Sequence, residues 1–256
     1  MAGPAKCAGC ADGIEPPFPF TMAFQPIVDI AARTVWAYEA LVRGPAGESA
    51  WSVLSKVRPE NQYSFDQSCR VKAIELAGGL FPADGDVRVS INFMPNAVYE
   101  PAACIRASLA AAARVGLPPE RIVFEFTETE RVADPAHVRR IVETYSEIGF
   151  VTALDDFGSG HSGLRLLAEL TPGTIKLDMD LVRGLDGDAR RRTIVAGVTR
   201  IARDLGIAVI AEGVETAGEA TALTDLGITL LQGYFFARPA IEALPPVAWE
   251  GPAGPA

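Results

Sequence analysis

Cysteine is scarce in this chain. It has four, Cys7, Cys10, Cys69 and Cys104, among 256 residues. That is too few for the disulfide framework of a secreted domain of this size. Positive charge is also in deficit: 23 Lys and Arg face 32 Asp and Glu, a formal net charge of −9. This balance argues against a nonspecific grip on a nucleic-acid polymer or an anionic membrane. A small phosphate ligand stays open, provided metal ions intervene. No apolar run is long enough to span a bilayer. The opening MAGPAKCAGCADGIEPPFPF lacks the apolar core of a signal peptide. A cytoplasmic location is the expectation.

What the chain does have is hydrophobic residues, 49% of the total, enough for a substantial core. Residues 1–19 are rich in Gly, Ala and Pro and read as a loose tail ahead of one domain over 20–250. Within it, apolar β-branched runs predict strands at 22–30, 35–42, 87–94, 121–127, 150–156, 174–178, 207–212 and 229–235. Helices are predicted at 49–57, 64–80, 101–115, 134–148, 161–170, 188–205 and 216–226. Eight strands with intervening helices predict an α/β fold, a TIM-like (βα)8 barrel. The first connection breaks the pattern. Only Ala31–Thr34 separate the first two strands. A parallel crossover needs a dozen or more residues, so this pair is an antiparallel hairpin and the first strand runs against the rest.

Carboxylates recur where they are costly. Glu39 ends AYEALVRG, Glu125 sits in IVFEFTETE, Asp155 and Asp156 sit in TALDDFGSG, and Glu212 sits in AVIAEGVET. Acids do not normally end buried strands unless something neutralises them. In barrels of this kind the working residues gather at the C-terminal strand ends. Asn92, Lys176 and Gln232 fall on or near those ends too. Five carboxylates facing one lysine cannot all stay ionised in a dry pocket: some hold protons, or cations sit among them. All-oxygen ligation with one amide and no histidine suits a hard cation such as Mg²⁺ or Mn²⁺. The adjacent pair Asp155–Asp156 can place one carboxylate between two ions, an arrangement suited to phosphoryl displacement. Lys176 is placed to orient a water or neutralise developing charge. For any single acid a helix cap, surface charge or structural ion pair explains as much. The ordered set is what demands a common centre.

The same motifs resemble those of EAL-type cyclic-di-GMP phosphodiesterases, from about Phe20 to Pro239. The resemblance is carried by Glu39-Ala40-Leu41 followed by Val42-Arg43-Gly44, with Phe24-Gln25-Pro26-Ile27-Val28, Asn92 and Glu125-Phe126-Thr127-Glu128. It continues in Asp155-Asp156-Phe157-Gly158, Ile175-Lys176-Leu177-Asp178, Ala211-Glu212-Gly213-Val214-Glu215 and Gln232-Gly233-Tyr234. The family fold, a TIM-like barrel with an antiparallel first strand, agrees with the hairpin argument. The resemblance implies hydrolysis of cyclic di-GMP to linear pGpG, assisted by two Mg²⁺ or Mn²⁺ ions. Glu39, Asn92, Glu125, Asp155, Asp156 and Glu212 would hold the ions, and Lys176 would position the attacking water. Arg43 would meet a phosphate, and Gln25, Leu41 and Gln232 would line the dinucleotide groove. Asp178 and Glu215 would support the substrate side. Glu128 would anchor the loop Phe157–Gly163, which the family links to homodimer formation and control of activity. The rival readings are a sensor that binds the dinucleotide without cleaving it, and a barrel glycosidase using two carboxylates. The glycosidase leaves Asn92, Asp155–Asp156 and Lys176 unexplained.

Other features are weaker. Trp249, in PPVAWEGP just past the last predicted strand, either folds over the strand-end face to stack on a guanine or plugs the barrel surface. Cys7-x2-Cys10 has metal or redox spacing but lacks partner ligands, and reads as inert thiols. His161 stands where the family usually has an aromatic residue and reads as a loop-packing residue. His137 reads as an exposed helix residue. Arg190-Arg191-Arg192 reads as a solvated cluster opening a helix.

Overall fold

The structure, a computed structural model, describes residues 18–98, 100–127, 135–160 and 163–251. Chain order runs β1 (Thr21–Asp29), β2 (Thr34–Arg43), α1 (Ala50–Leu54), α2 (Gln62–Leu80), β3 (Arg88–Asn92), α3 (Pro101–Cys104), α4 (Arg106–Val115) and β4 (Ile122–Thr127). It continues α5 (Pro135–Ile148), β5 (Val151–Phe157), α6 (Gly163–Glu169), β6 (Thr174–Leu177), α7 (Met179–Val182), α8 (Ala189–Asp204), β7 (Ala208–Ala211), α9 (Ala217–Asp225), β8 (Leu230–Gln232) and β9 (Ala240–Ile241). No helix among the described residues is long and apolar enough to cross a membrane.

β2 through β8 pair in parallel, each with the next in sequence. β1 closes the ring by pairing antiparallel with both β2 and β8. This is the expected eight-stranded barrel with its first strand reversed. The hairpin is local chemistry: the Asp29 carboxylate accepts from the Ala31 and Ala32 N–H groups, an Asx-type turn. Arg33 completes the turn at φ 53°.

Side chains alternate across each strand. Outward-facing residues such as Phe24, Ile91, Phe124 and Leu154 pack beneath the helices in one continuous core. Ile27, Ala37, Ile210 and Leu230 form a separate apolar plug inside the barrel, with Trp36 against it. In β1 that plug lies at the hairpin end, because Ile27 pairs with Ala37 and Asp29 with Thr34. The other end, where β2 to β8 finish, is left for polar residues.

Two expectations shift at boundaries. The predicted 101–115 helix splits at Ile105 into α3 and α4. The last predicted strand, 229–235, stops at Gln232. After it the chain makes β9 beside the start of β1, with Ala240 opposite Phe24. Residues 242–251 then return down the outside of the barrel. Ala248 N–H bonds to the Phe236 carbonyl at 2.8 Å. Trp249 ends under the Arg33 guanidinium, 5.6 Å from ring centroid to Cζ, while Glu250 pairs with Arg33 at 3.1 Å.

Candidate active site

Lys176 stands at the centre. It lies on the short strand β6 and is fully buried. Its Nζ is 2.6 Å from Glu212 Oε1, 2.9 Å from Glu125 Oε2, 3.3 Å from Asp155 Oδ1 and 3.5 Å from Glu39 Oε2. Acids from β2, β4 and β5, and from the residue after β7, therefore meet one ammonium. Glu39 is further held by Gln232 Nε2 at 2.7 Å and Asn92 Nδ2 at 3.0 Å. Ser90 Oγ donates to Glu125 Oε1.

The fifth acid needs a backbone distortion. Successive strand residues point to opposite faces, so Asp155 and Asp156 would normally diverge. Instead the β5–β6 register slips between Leu154 and Phe157, and Asp156 sits at φ 55°, left-handed for a residue with a side chain. Such strain clusters at functional sites. It brings both carboxylates to one place. One ligand oxygen each from Glu39, Glu125 and Asp155 lies within 4.8 Å of the other two, and the same holds for Asp155, Asp156 and Glu212. Asp155 belongs to both groups.

The electrostatics show a shortage of positive charge. Five carboxylates against one ammonium leave four uncompensated negative charges if all ionise. Burial pushes the Glu125 carboxyl up to about 8, against the pull of Lys176. Burial and the adjacent Asp155 raise Asp156 to about 6. Burial also lifts Asp155, and holds Glu212 well above the carboxylate range. Glu39 moves the other way: burial would raise it, but Lys176, Gln232 and Asn92 together lower it. Burial alone would depress Lys176, yet the surrounding carboxylates hold it well above its ordinary value. Divalent cations would fit this donor set, because they supply the missing charge to hard oxygen ligands.

Six further predicted residues fall into three groups. Gln25 and Gln232 are brought in: Gln25 pairs in register with Glu39, and its Nε2 donates to the Ala237 carbonyl at 3.2 Å. Gln232 is placed by a close crossing in which Gly233 is essential. A Cβ there would lie 2.0 Å from the Val214 carbonyl oxygen. Leu41 and Arg43 line a cavity of about 530 Å³ that opens beside Asn92 and runs back to Leu54, Phe65 and Cys69. Asp178 and Glu215 sit at the edge, Asp178 capping α7 through the Asp180 N–H and Glu215 pairing with Arg183 at 2.6 Å.

Trp249 is not brought to the centre. It stacks on Arg33, in the turn at the opposite end of the barrel, so the tail covers a side wall and not the strand-end face. His137 is also corrected: it is half-buried on α5, with Nε2–H donating to the Val98 carbonyl and Nδ1 accepting from Arg140 at 3.3 Å. Glu128, His161, Cys7 and Cys10 lie outside the described residues. Ser90 was missed, although its spacing of two from Asn92 on a strand puts both on one face.

The fold agrees with comparisons to known proteins. Residues 19–239 match the EAL domain family, and the chain belongs to it. A crystal structure of a standalone versatile EAL protein from Vibrio cholerae O395, in its c-di-GMP-bound form, is 51% identical. It superposes with a TM-score of 0.86, covering 91% of this chain and 97% of that one. Klebsiella pneumoniae BlrP1, in a manganese/cy-diGMP complex, is 36% identical with a TM-score of 0.84, over 91% of this chain and 59% of that one. Among curated relatives, the cyclic di-GMP phosphodiesterase RocR of Pseudomonas aeruginosa is 37% identical over 49% of this chain and 32% of its own length. The blue light- and temperature-regulated antirepressor BluF of Escherichia coli is 29% identical over 89% of this chain and 56% of its length. The chain thus spans roughly a third to a half of these two curated relatives.

Proposed function

We propose that this chain hydrolyses one phosphodiester of cyclic di-GMP to give linear pGpG, with two Mg²⁺ or Mn²⁺ ions. The observation that carries the reading is the sharing of Asp155 between two carboxylate groups, Glu39–Glu125–Asp155 and Asp155–Asp156–Glu212. Glu39, Asn92, Glu125, Asp155, Asp156 and Glu212 would hold the ions. When bound, the ions supply Lewis acidity toward phosphoryl oxygens and make water a stronger acid.

The chain's own residues do the rest. Lys176 orients the attacking water and offsets charge that develops on the phosphate. Arg43 meets a phosphate oxygen, since guanidinium geometry suits it. Gln25, Leu41 and Gln232 line the groove, with Asp178 and Glu215 at its edge. The apolar cavity behind Leu41 and Arg43 has room for one purine base. Glu128 anchors the loop from Phe157 to Gly163. Homodimer formation through that loop, and a cytoplasmic location, belong to the same reading.

Incubation with cyclic di-GMP followed by nucleotide chromatography, with and without EDTA, tests the reading. We expect pGpG with Mg²⁺ or Mn²⁺ and intact substrate with EDTA. Intact substrate under all conditions, with the dinucleotide still bound, would point instead to a non-catalytic sensor.

A further inference from the structure

Asn92 is the weakest-anchored member of the centre. It is the last residue of β3, it is exposed, and its side chain makes its contact with Glu39 from a strand that is ending. Phe93 N–H still reaches the Glu125 carbonyl at 2.9 Å. Beyond that the chain leaves the sheet. What holds it there comes from outside the barrel. Met94 N–H donates to Asp66 Oδ1 at 2.9 Å.

Asp66 lies on α2 and is 4% exposed. Its other oxygen is gripped by Arg70, Nε at 3.0 Å and Nη2 at 2.9 Å. Arg70 is 3% exposed, and its Nη1 points at the Cys104 carbonyl and Ser108 Oγ, both at 3.4 Å. A buried ion pair is a poor stabiliser, because desolvation offsets most of the attraction and an apolar pair of similar size often serves as well. Here Arg70 braces the pair against α3 and α4, and the free oxygen of Asp66 is spent on a single backbone N–H two residues past Asn92. The structure assigns Asp66 and Arg70 as positioning residues: the pair fixes the strand exit at Met94 so that Asn92 stays in reach of Glu39 and of a cation. The inference rests on the reading of Asn92 as a metal residue.

Five chains test it: wild type, Asp66→Leu/Arg70→Met, Asp66→Asn/Arg70→Gln, and Asn92→Ala with and without the apolar pair. The readouts are affinity for Mn²⁺ alone and hydrogen exchange of residues 92–98 in EDTA. The apolar pair removes the acceptor without leaving a buried charge. It is expected to speed exchange at 92–98 about tenfold, the order of one lost hydrogen bond. It should also weaken Mn²⁺ binding about 10–100-fold. In the Asn92→Ala background it should weaken Mn²⁺ no further. The amide pair keeps an acceptor for Met94 N–H and is expected to restore both readouts.

Unchanged exchange at 92–98 would overturn the inference, as would an equal Mn²⁺ loss in the Asn92→Ala background. If the apolar pair does not fold, the amide pair decides: wild-type exchange and affinity support the clamp, and loss of both overturns it. A wild type that binds no Mn²⁺ would sink the metal reading, while the exchange arm still judges the clamp.

Discussion

The two ends of the barrel interior differ by a single strand period. β2 contributes Ala37 to the plug and Glu39 to the centre; β7 leads from Ile210 to Glu212, and β8 from Leu230 to Gln232. Two residues along a strand is about 7 Å. Over that distance a sealed hydrocarbon layer becomes a cluster of five acids around one lysine. The four plug residues carry no ionisable group and contribute through burial alone, with Arg88 at the edge, paired in register with Ala37 and stacked on Trp36. The acid end opposes folding unless protons, Lys176 or metal ions offset its charge. Stability and chemistry are thus assigned to adjacent layers of the same strands. The layers are separable by experiment.

The largest effect should come from removing Lys176, the one cation among the described residues that pairs with the acid layer. Lys176→Met leaves the carboxylates facing one another. Breaking one partner of a buried pair costs about 3–5 kcal/mol, so the melting temperature in EDTA should fall sharply. Saturating Mn²⁺ should recover much of it, while turnover stays lost. Calorimetry with and without Mn²⁺ checks this; an unchanged EDTA melting point would break the contrast between the layers.

A crossed pair of variants comes next. Asp155→Asn should abolish the proposed hydrolysis and weaken Mn²⁺ binding while the fold persists, because Asp155 is common to both carboxylate groups. Ile210→Ala, one layer below, should do the reverse: about 2–5 kcal/mol less stable in urea, with kcat per folded molecule unchanged. Equal loss of kcat in both would show that the layers are not independent.

The pH dependence sharpens the same contrast. Glu125 rises from its ordinary 4.5 to about 8, and Asp156 from 3.8 to about 6. The folded, metal-free chain therefore holds more protons than the unfolded chain across that window. Its stability should fall as pH rises from about 4 to about 8. Mn²⁺ should flatten or reverse the slope, since ligation requires ionised carboxylates. Melting temperatures at several pH values, in EDTA and in Mn²⁺, give the sign directly.

The smallest effect belongs to the hairpin end. Trp249→Ala removes a cation–π contact with Arg33 and partly buried packing against the outer core, and should cost about 1–2 kcal/mol of stability. The Michaelis constant for cyclic di-GMP should not move. A raised Michaelis constant would mean that the tail reaches the mouth after all.

How much of this was legible in the sequence depended on the physics behind each signal. Strand cores were legible because β-branched runs bounded by turns leave few alternatives. The reversed first strand followed from loop length alone. The acids of the centre stood out because each ends an apolar run. Gly233 was a missed stop signal: a glycine inside a strand pattern often marks close backbone approach, here to Val214, and the strand ends just before it. Asp66 was not legible, since one acid in the helical run YSFDQSCR looks like a solvent-facing residue until α2 is packed. Trp249 was left between two readings for a related reason: sequence placed it after the last strand but carried nothing about which way the tail turns. The structure takes the barrel-surface plug, with Trp249 against the outer core and under Arg33.

The direction of β1 also fixes how the molecule can be held. Thr21 begins β1 beside the mouth, and the turn from Asp29 to Thr34 lies at the opposite end. β1 alone, nine residues, spans roughly 30 Å. A fluorophore placed in the turn between β1 and β2 leaves the mouth facing open solvent, whereas one placed at Phe18 approaches its rim. For immobilised assays, attachment through that turn is the choice that keeps the carboxylate centre unobstructed.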